Sequence, residues 1–499
     1  MDDIVIAYDL GTGGIKSSAV SVEGKILFST FISYPTFFPK EGWQEQAPDD
    51  WWNALVESTK LLLESGTFDK KNVKALAISG HSLGVVPIDK NGKLLRNKTP
   101  IWSDKRAEKE AEDFFYEINN DEWYNITGNG FPAACYPLFK IAWYKNNEPD
   151  VYNNAYKIIG TKDYCNYKLT GRICTDYSYA SGYGAYSLKD WSYRYDFMNI
   201  ADVSLDLFPE ILSSDAVVGC LTLEAAKLLG LNENVKVVCG GVDNSCMALG
   251  AKGITNGRSY TSLGSSAWIA SITSSPILDN VKRPYVFAHV IKGMYTSASC
   301  IFSACTSLSW VIDMFLSEYK NKECLYKKVE ELTLASPVGA NGIIFNPSLA
   351  GGSMMEPTPE MTGAFVGLKL GNNVSDIIRA TKEGIAMNLK TALDLLKTYT
   401  EVEPPMLMVG GGAKSESWMR IFADVYDMKI EKTSIDQEAA SIGVAALAFN
   451  ALKLWKGYDM IDKIYNTEQI YVPSKDSAIY KNIKEKFDIL VNQISELSY

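Results

Sequence analysis

Histidine is almost missing from this chain of 499 residues: His81 and His289 are the only two. A Ser-His-Asp triad or a multi-histidine metal site is therefore nearly excluded, and proton transfer has to rest on a carboxylate. Cys-x-x-Cys pairs are missing as well. The 9 cysteines are odd in number and mostly set in apolar runs, which fits reduced core thiols in a cytoplasm better than disulfides or zinc. No apolar run reaches the roughly 18 residues of a membrane span, so no membrane partner is expected. The start, M-D-D-I-V-I-A-Y-D-L, has no basic segment and no small-residue cleavage pattern, so no signal peptide is expected. Blocks of like charge are absent. The net charge of −10 offers no basic excess for a phosphate backbone, so no nucleic acid is expected.

What remains is an ordinary soluble composition, 46% hydrophobic and 22% charged, in a chain too long for one core. Two large domains are expected. Ile4–Leu10, 15–20 and 26–33 read as three strands, the first two joined by the glycine-dense G-T-G-G. The segment 258–271 repeats that design around L-G-S-S. The two units, Y-D-L-G-T-G-G and T-S-L-G-S-S-A, each open one half of the chain, which reads as a structural duplication. V-K-A-L-A-I-S-G (73–80) reads as a buried strand, and 103–125 as charged and helical. In 376–398, Ile377, Ala380, Thr381, Gly384, Ile385, Asn388, Leu389, Ala392, Leu393 and Leu396 share one helical face. Residues 404–415 read as strand then glycine loop, and 434–448 as a small-residue helix. The last fifty residues read as helical additions. The expected divisions are 1–248, 249–450 and a helical extension over 451–499.

Several segments carry groups suited to chemistry. In Asp9-Leu10-Gly11-Thr12-Gly13-Gly14-Ile15-Lys16, glycines and a hydroxyl can donate to phosphate oxygens, Lys16 adds charge, and Asp9 can hold Mg²⁺ through water. A plain hairpin turn is the other reading, and no Walker G-K-[ST] is present. Gly264 and Ser265 offer a second such loop. Gly410-Gly411-Gly412 follow an apolar strand, and a flat ring such as adenine could lie on their backbone, as could the first turn of a helix follow them. Asp243, in G-G-V-D-N, reads either as a helix cap or as the residue that takes a proton. His81, Ser82, Trp102, Asp104 and Arg106 supply a hydrogen-bond fan and an indole of the kind that holds a sugar. The alternatives are a satisfied loop histidine and a surface ion pair. P-L-F-K-I-A-W (137–143) reads as core with a snorkelling lysine.

In order, these stretches resemble the FGGY carbohydrate kinases, in the style of the xylulokinase-like branch. The resemblance runs to about residue 450 through Y-D-L-G-T-G-G-I-K, I-S-G-H-S-L-G, I-W-S-D-K-R-A, P-L-F-K-I-A-W, K-D-Y-x-x-Y-K-L-T-G, T-D-Y-S-Y-A-S-G, G-G-V-D-N, S-L-G-S-S, T-G-A-F-V-G-L, G-G-G-A-K-S-x-x-W and E-A-A-x-x-G-V-A-A. It implies an α/β protein of two RNase H-like domains, of the actin/hexokinase/Hsp70 ATPase superfamily, with an interdomain cleft. It implies ATP and Mg²⁺, a small sugar or polyol acceptor, cytoplasmic location and a homodimer. By the same resemblance Asp243 is the catalytic base and Asp9 the metal-side carboxylate. Gly11, Thr12, Gly13 and Lys16 form the first phosphate loop, Gly264 and Ser265 the second, and Gly411 and Gly412 the adenosine side. His81, Ser82, Trp102, Asp104, Arg106 and Asn244 face the acceptor.

The acceptor region departs from its branch. Where xylulokinases usually show S-G-Q-M-H-G, this chain has Ser79-Gly80-His81-Ser82-Leu83-Gly84, and an E-R-T-P-like stretch reads G-G-S-M-M-E-P at 351–357. Cys305 stands where glycine is common. A pentulose such as xylulose is the expected acceptor, with erythritol, glycerol and gluconate as the other family choices. An actin- or Hsp70-like ATPase acting on a protein would share the phosphate loops but have no use for G-H-S-L-G and W-S-D-K-R. A silent sugar sensor would need neither Asp9 and Asp243 nor both loops.

Overall fold

The computed structural model describes residues 3–320, 322–434 and 438–497. The chain forms two compact units, Met1–Ile254 with Ser274–Thr296 and Glu438–Ile464, and Thr255–Thr273 with Ser297–Gln437 and Tyr465–Tyr499. The first unit thus takes two segments from the C-terminal half of the chain, while the second is drawn from residues 255 onward. Among the described residues no helix is long and apolar enough to cross a membrane.

In the first unit, β1 (Ile4–Leu10), β2 (Gly14–Ser21), β3 (Ile26–Ser33), β4 (Val73–Gly80), β5 (Val217–Cys220) and β6 (Lys236–Val242) form one sheet in the order β5-β6-β4-β1-β2-β3. β1–β3 are antiparallel, while β4 lies parallel to β1 and β6 parallel to β4. β1, β4 and β6 are near-continuous apolar runs because they are covered on both faces. The helix Pro48–Glu64 lies over β2, tied by Ser17 Oγ donating to Ser58 Oγ at 2.7 Å.

The helices Asp243–Gly250 and Ala439–Ala451 approach backbone to backbone. A Cβ on Gly250 would lie 1.7 Å from the Ala439 carbonyl oxygen, and one on Gly443 would lie 1.9 Å from that of Cys246. The small residues seen in 434–448 thus serve close packing, and the helix they form is buried on nearly every side.

In the second unit, β7 (Ser259–Leu263) and β8 (Ala267–Thr273) make a hairpin, and β7 runs parallel to β9 (Met406–Val409). β10 (Ile430–Thr433) lies parallel to β9, and β11 (Thr467–Tyr471) antiparallel to β10. The succession of antiparallel hairpin, two parallel steps and an antiparallel edge matches β2-β1-β4-β6-β5, so the two units share a strand plan, as the paired G-T-G-G and L-G-S-S segments suggested. The helix Val374–Tyr399 buries all ten residues of its expected face. Its N-terminus is closed reciprocally: the Asn373 side chain accepts from Ser375 N–H at 2.8 Å, and Asp376 accepts from Asn373 N–H at 3.1 Å. The tail is not purely helical. T-E-Q-I-Y pairs as an edge strand before the helix Ser477–Ser495, a correction that follows from the free edge of β10.

Candidate active site

Three parallel strands of the first unit end at one level. Asp9 on β1 stands opposite Ser79 on β4, and Ser79 stands opposite Gly241 on β6, two residues before Asp243. Ends of parallel strands are where α/β sheets bind ligands. Ser79 Oγ donates to Asp9 Oδ1 at 3.2 Å. Both carboxylates are half-buried. Burial lifts Asp9 to about 6, with the Ser79 hydrogen bond and Lys16 opposing the rise. Burial, reinforced by the charge of Asp9, lifts Asp243 to about 7. A carboxyl group at that level is matched to accepting a proton at neutral pH. Asp243 does not cap its helix. Val242 holds the cap position, and Asp243 is the first helical residue, its Oδ1 accepting from the Asn244 N–H at 2.8 Å. Asn244 is half-buried in the same turn.

The loop between β1 and β2 is held from behind. Gly11 N–H donates to Gly14 O at 3.0 Å, Gln46 Nε2 to Thr12 O at 2.7 Å, and Trp102 Nε1 to Thr12 Oγ1 at 3.0 Å. Around Gly13 a Cβ would meet nothing within 4 Å, so its backbone is open to a ligand. Lys16 is ion-paired with Glu438, which also accepts from Ser18 Oγ at 3.3 Å.

His81 N–H donates to Leu10 O at 2.9 Å, which sets this residue beside the loop. Its ring is 1% exposed, edge-on to Trp51 at 5.5 Å, and neither ring nitrogen has a hydrogen-bond partner. The loop histidine considered from sequence is thus buried rather than solvated. Burial lowers His81 to about 4, which keeps the imidazole neutral. Ser82 is buried beside it. Asp104 and Arg106 form a buried pair, not a surface one: Arg106 Nε and Nη2 each donate to Asp104 at 2.9 Å, and Nη2 also reaches Glu45 at 2.7 Å. The guanidinium lies 3.9 Å from the Trp43 ring centroid, and its Nη1 is buried without a partner. Lys140 does not snorkel. It is wholly buried, donates to Ile101 O at 2.6 Å and Leu83 O at 3.2 Å, and is brought down to about 8 by burial.

In the second unit, Gly264, Ser265, Gly411 and Gly412 line one cavity of about 690 Å³ with Cys305, Leu308 and Trp418. The structure thus brings together the two glycine loops that the sequence offered separately. Gly410, at φ +94°, has no room for a side chain, since a Cβ would lie 2.8 Å from Leu263 O. Sequence reading missed Lys382, which is 1% exposed at the cavity wall and donates to Glu330 at 2.8 Å, Ser415 at 3.0 Å and Ser417 at 2.9 Å.

Comparison with known proteins decides the family. The model of the FGGY carbohydrate kinase N-terminal domain matches residues 4–250, and that of the C-terminal domain matches 259–452. This chain belongs to the FGGY family of carbohydrate kinases. The xylulose kinase of Staphylococcus xylosus is 31% identical over 445 residues, covering 89% of this chain and 90% of its own length. The gluconokinase of Bacillus licheniformis is 26% identical over 99% of this chain and 96% of its own. The solved gluconate kinase of Lactobacillus acidophilus shares the fold at TM-score 0.90 and 24% identity, covering 99% of this chain and 98% of its own. The FGGY kinase is accordingly a sugar phosphotransferase.

Within this FGGY kinase, two first-unit residues near the carboxylates were passed over in the sequence. Ser79 was visible as the last side chain before Gly80 on a strand parallel to β1. Glu438 lay in the quoted E-A-A stretch, but nothing local announced its pairing with Lys16.

Proposed function

We propose that this kinase transfers the γ-phosphoryl group of ATP to a hydroxyl of a small uncharged ketose or polyol, a pentulose such as xylulose, with Asp243 as proton acceptor. The observation that carries the reading is the Asp9–Ser79–Asp243 line at the ends of β1, β4 and β6, with Asp243 lifted to about 7. As the acceptor oxygen bonds to the γ-phosphorus, its proton passes to Asp243, and the bond to the β–γ bridging oxygen breaks to release ADP. Gly11 and Gly264 shape the two phosphate loops, their own N–H groups donating to Gly14 O and Ser266 O, while the N–H groups of Thr12, Gly13 and Ser265 donate to phosphate oxygens, with Lys16 adding charge. Gly411 and Gly412 lie under the adenosine.

The donor set fits Mg²⁺. Among the described residues no group of three or more His, Cys, Asp or Glu could cage a metal. Mg²⁺, however, commonly takes one or two carboxylates and fills its shell with water and phosphate oxygens. Asp9 would hold it, and bound there it offsets phosphate charge.

The acceptor side supports a neutral substrate. His81 is neutral, the charge of Arg106 is met by Asp104 and Glu45, and Lys140 is spent on two carbonyls. A carboxylate would find no uncommitted cation among these groups. His81, Ser82, Trp102, Asp104, Arg106 and Asn244 are assigned to acceptor hydroxyls. Coupled ADP release across ketopentoses, pentitols, tetritols, glycerol and gluconate tests this. Turnover is expected with a ketopentose or a related polyol, and turnover with gluconate alone would overturn the reading.

A further inference from the structure

The K-D-Y and T-D-Y-S stretches entered the family resemblance without any role in the chemistry. In the fold they meet beneath the strand that delivers Asp243. β6 carries a bulge there: Val238 pairs with Ala77 and Gly241 with Ser79, so three steps on β6 oppose two on β4. Gly240 makes this possible, at φ +73°, where a Cβ would sit 1.9 Å from Ile78 O. A bulge turns backbone groups away from the ladder, and buried groups so displaced need other partners.

Side chains supply them. The Cys239 carbonyl accepts from Asn166 Nδ2 at 2.8 Å and from Lys162 Nζ at 3.3 Å. The Val242 N–H, one residue before Asp243, donates to Ser178 Oγ at 3.0 Å. The Ser178 hydroxyl in turn donates to Asp176, whose other oxygen is ion-paired with Lys162 at 3.1 Å. Ser214 Oγ also donates to Asp176 at 2.6 Å, and the Gly240 N–H reaches Ser214 O at 3.0 Å. Lys162 and Asp176 are each 0% exposed. Burying such charges far from water is expensive, and these hydrogen bonds reach β6 at the bulge and its exit.

We infer that Lys162, Asp176 and Ser178 are positioning residues that fix the bulge in β6 and thereby aim Asp243 at the acceptor hydroxyl. This rests on Asp243 being the proton acceptor. The network acts through main-chain groups on both sides of Gly240–Gly241, so losing one hydroxyl should move Asp243 without emptying either substrate site. Small misplacement of a reacting group costs turnover far more than binding.

The experiment is steady-state kinetics of the full-length protein with Ser178→Ala, a substitution that removes only the link between Asp176 and the Val242 N–H, alongside Asp243→Asn. Expected for Ser178→Ala is a kcat lower by about 10- to 100-fold, KM for acceptor and for ATP within about two-fold of the parent, and a folded protein at assay temperature by thermal unfolding. Asp176→Asn should act in the same direction. Parent-like kcat in Ser178→Ala, or a loss matched by its unfolded fraction, or KM changes accounting for it, overturns the positioning role. If Asp243→Asn keeps its turnover, the proton-acceptor reading falls first and the inference with it. If Asp243→Asn is inactive while Ser178→Ala is normal, the positioning role alone fails.

Discussion

Asp243 sits where burial and the charge of Asp9 both favour its neutral form, and that has two measurable results. In the proposed role of proton acceptor it works only when ionised, so kcat/KM for the acceptor should fall as pH drops below about 7. Asp243→Asn should lower sugar-dependent ADP release by about 10²- to 10⁴-fold, with ATP binding by calorimetry unchanged. The stability effect has the opposite sense. A carboxyl raised from 3.8 to about 7 on folding supports the native state fully below about pH 4 and loses that support as pH rises through about 7. Asp243→Asn should therefore be more stable than the parent at pH 8 and close to it at pH 4. The gap is about 1–2 kcal/mol, less than the full shift implies because the carboxylate is half-buried. Thermal unfolding at the two pH values checks this. The candidate carboxylates were legible because the scarcity of histidine left few other proton acceptors. The buried, neutral state of His81 and the fully buried Lys140 were not, since partners such as Trp51, Leu83 O and Ile101 O are set by tertiary packing.

The elements that carry the site are positioned by close backbone contact, and glycine is where that shows. Gly443→Ala places a Cβ against the Cys246 carbonyl, in the helix that begins with Asp243. Overpacking of this kind costs about 1–3 kcal/mol, and chemical denaturation should show it together with reduced kcat. Gly410→Ala acts in the other unit: at φ +94° and 2.8 Å from Leu263 O, it should distort the Gly411–Lys414 turn. The expected result is a raised KM for ATP with acceptor KM unchanged. Strands β1 to β4 and the helix Val374–Tyr399 were readable because period and glycine punctuation are local signals. β11 was not: T-E-Q-I-Y is short and mostly exposed, and it becomes a strand only because β10 leaves an edge to pair. The burial and pairing of Lys162 and Asp176 were not legible for a related reason, as charged residues are ordinarily at the surface unless a partner far along the chain buries them.

At the scale of the molecule, the first unit is completed by Ser274–Thr296 and by Glu438–Ile464. A fragment ending at residue 254 lacks the helix Ala439–Ala451, and with it the apolar cover of Asp243–Gly250 and the partner of Lys16. Such a fragment should lose near-ultraviolet circular dichroism and bind a hydrophobic dye, although the corresponding family domain model spans 4–250. The two-part organisation was legible from the paired glycine loops, but the return of Ser274–Thr296 and Glu438–Ile464 to the first unit was not, because no local pattern marks where a chain returns. The return has a consequence during synthesis. The proposed proton acceptor and the helix that seats it are separated by nearly two hundred positions, so a nascent chain exposes the Asp243 helix unsupported until residues near 451 clear the ribosome, roughly ten seconds or more later at ordinary elongation rates. The completed site is therefore a late event in the life of each molecule. Its assembly time is set by translation, and a chaperone that shields this helix in the interval should raise the yield of active enzyme.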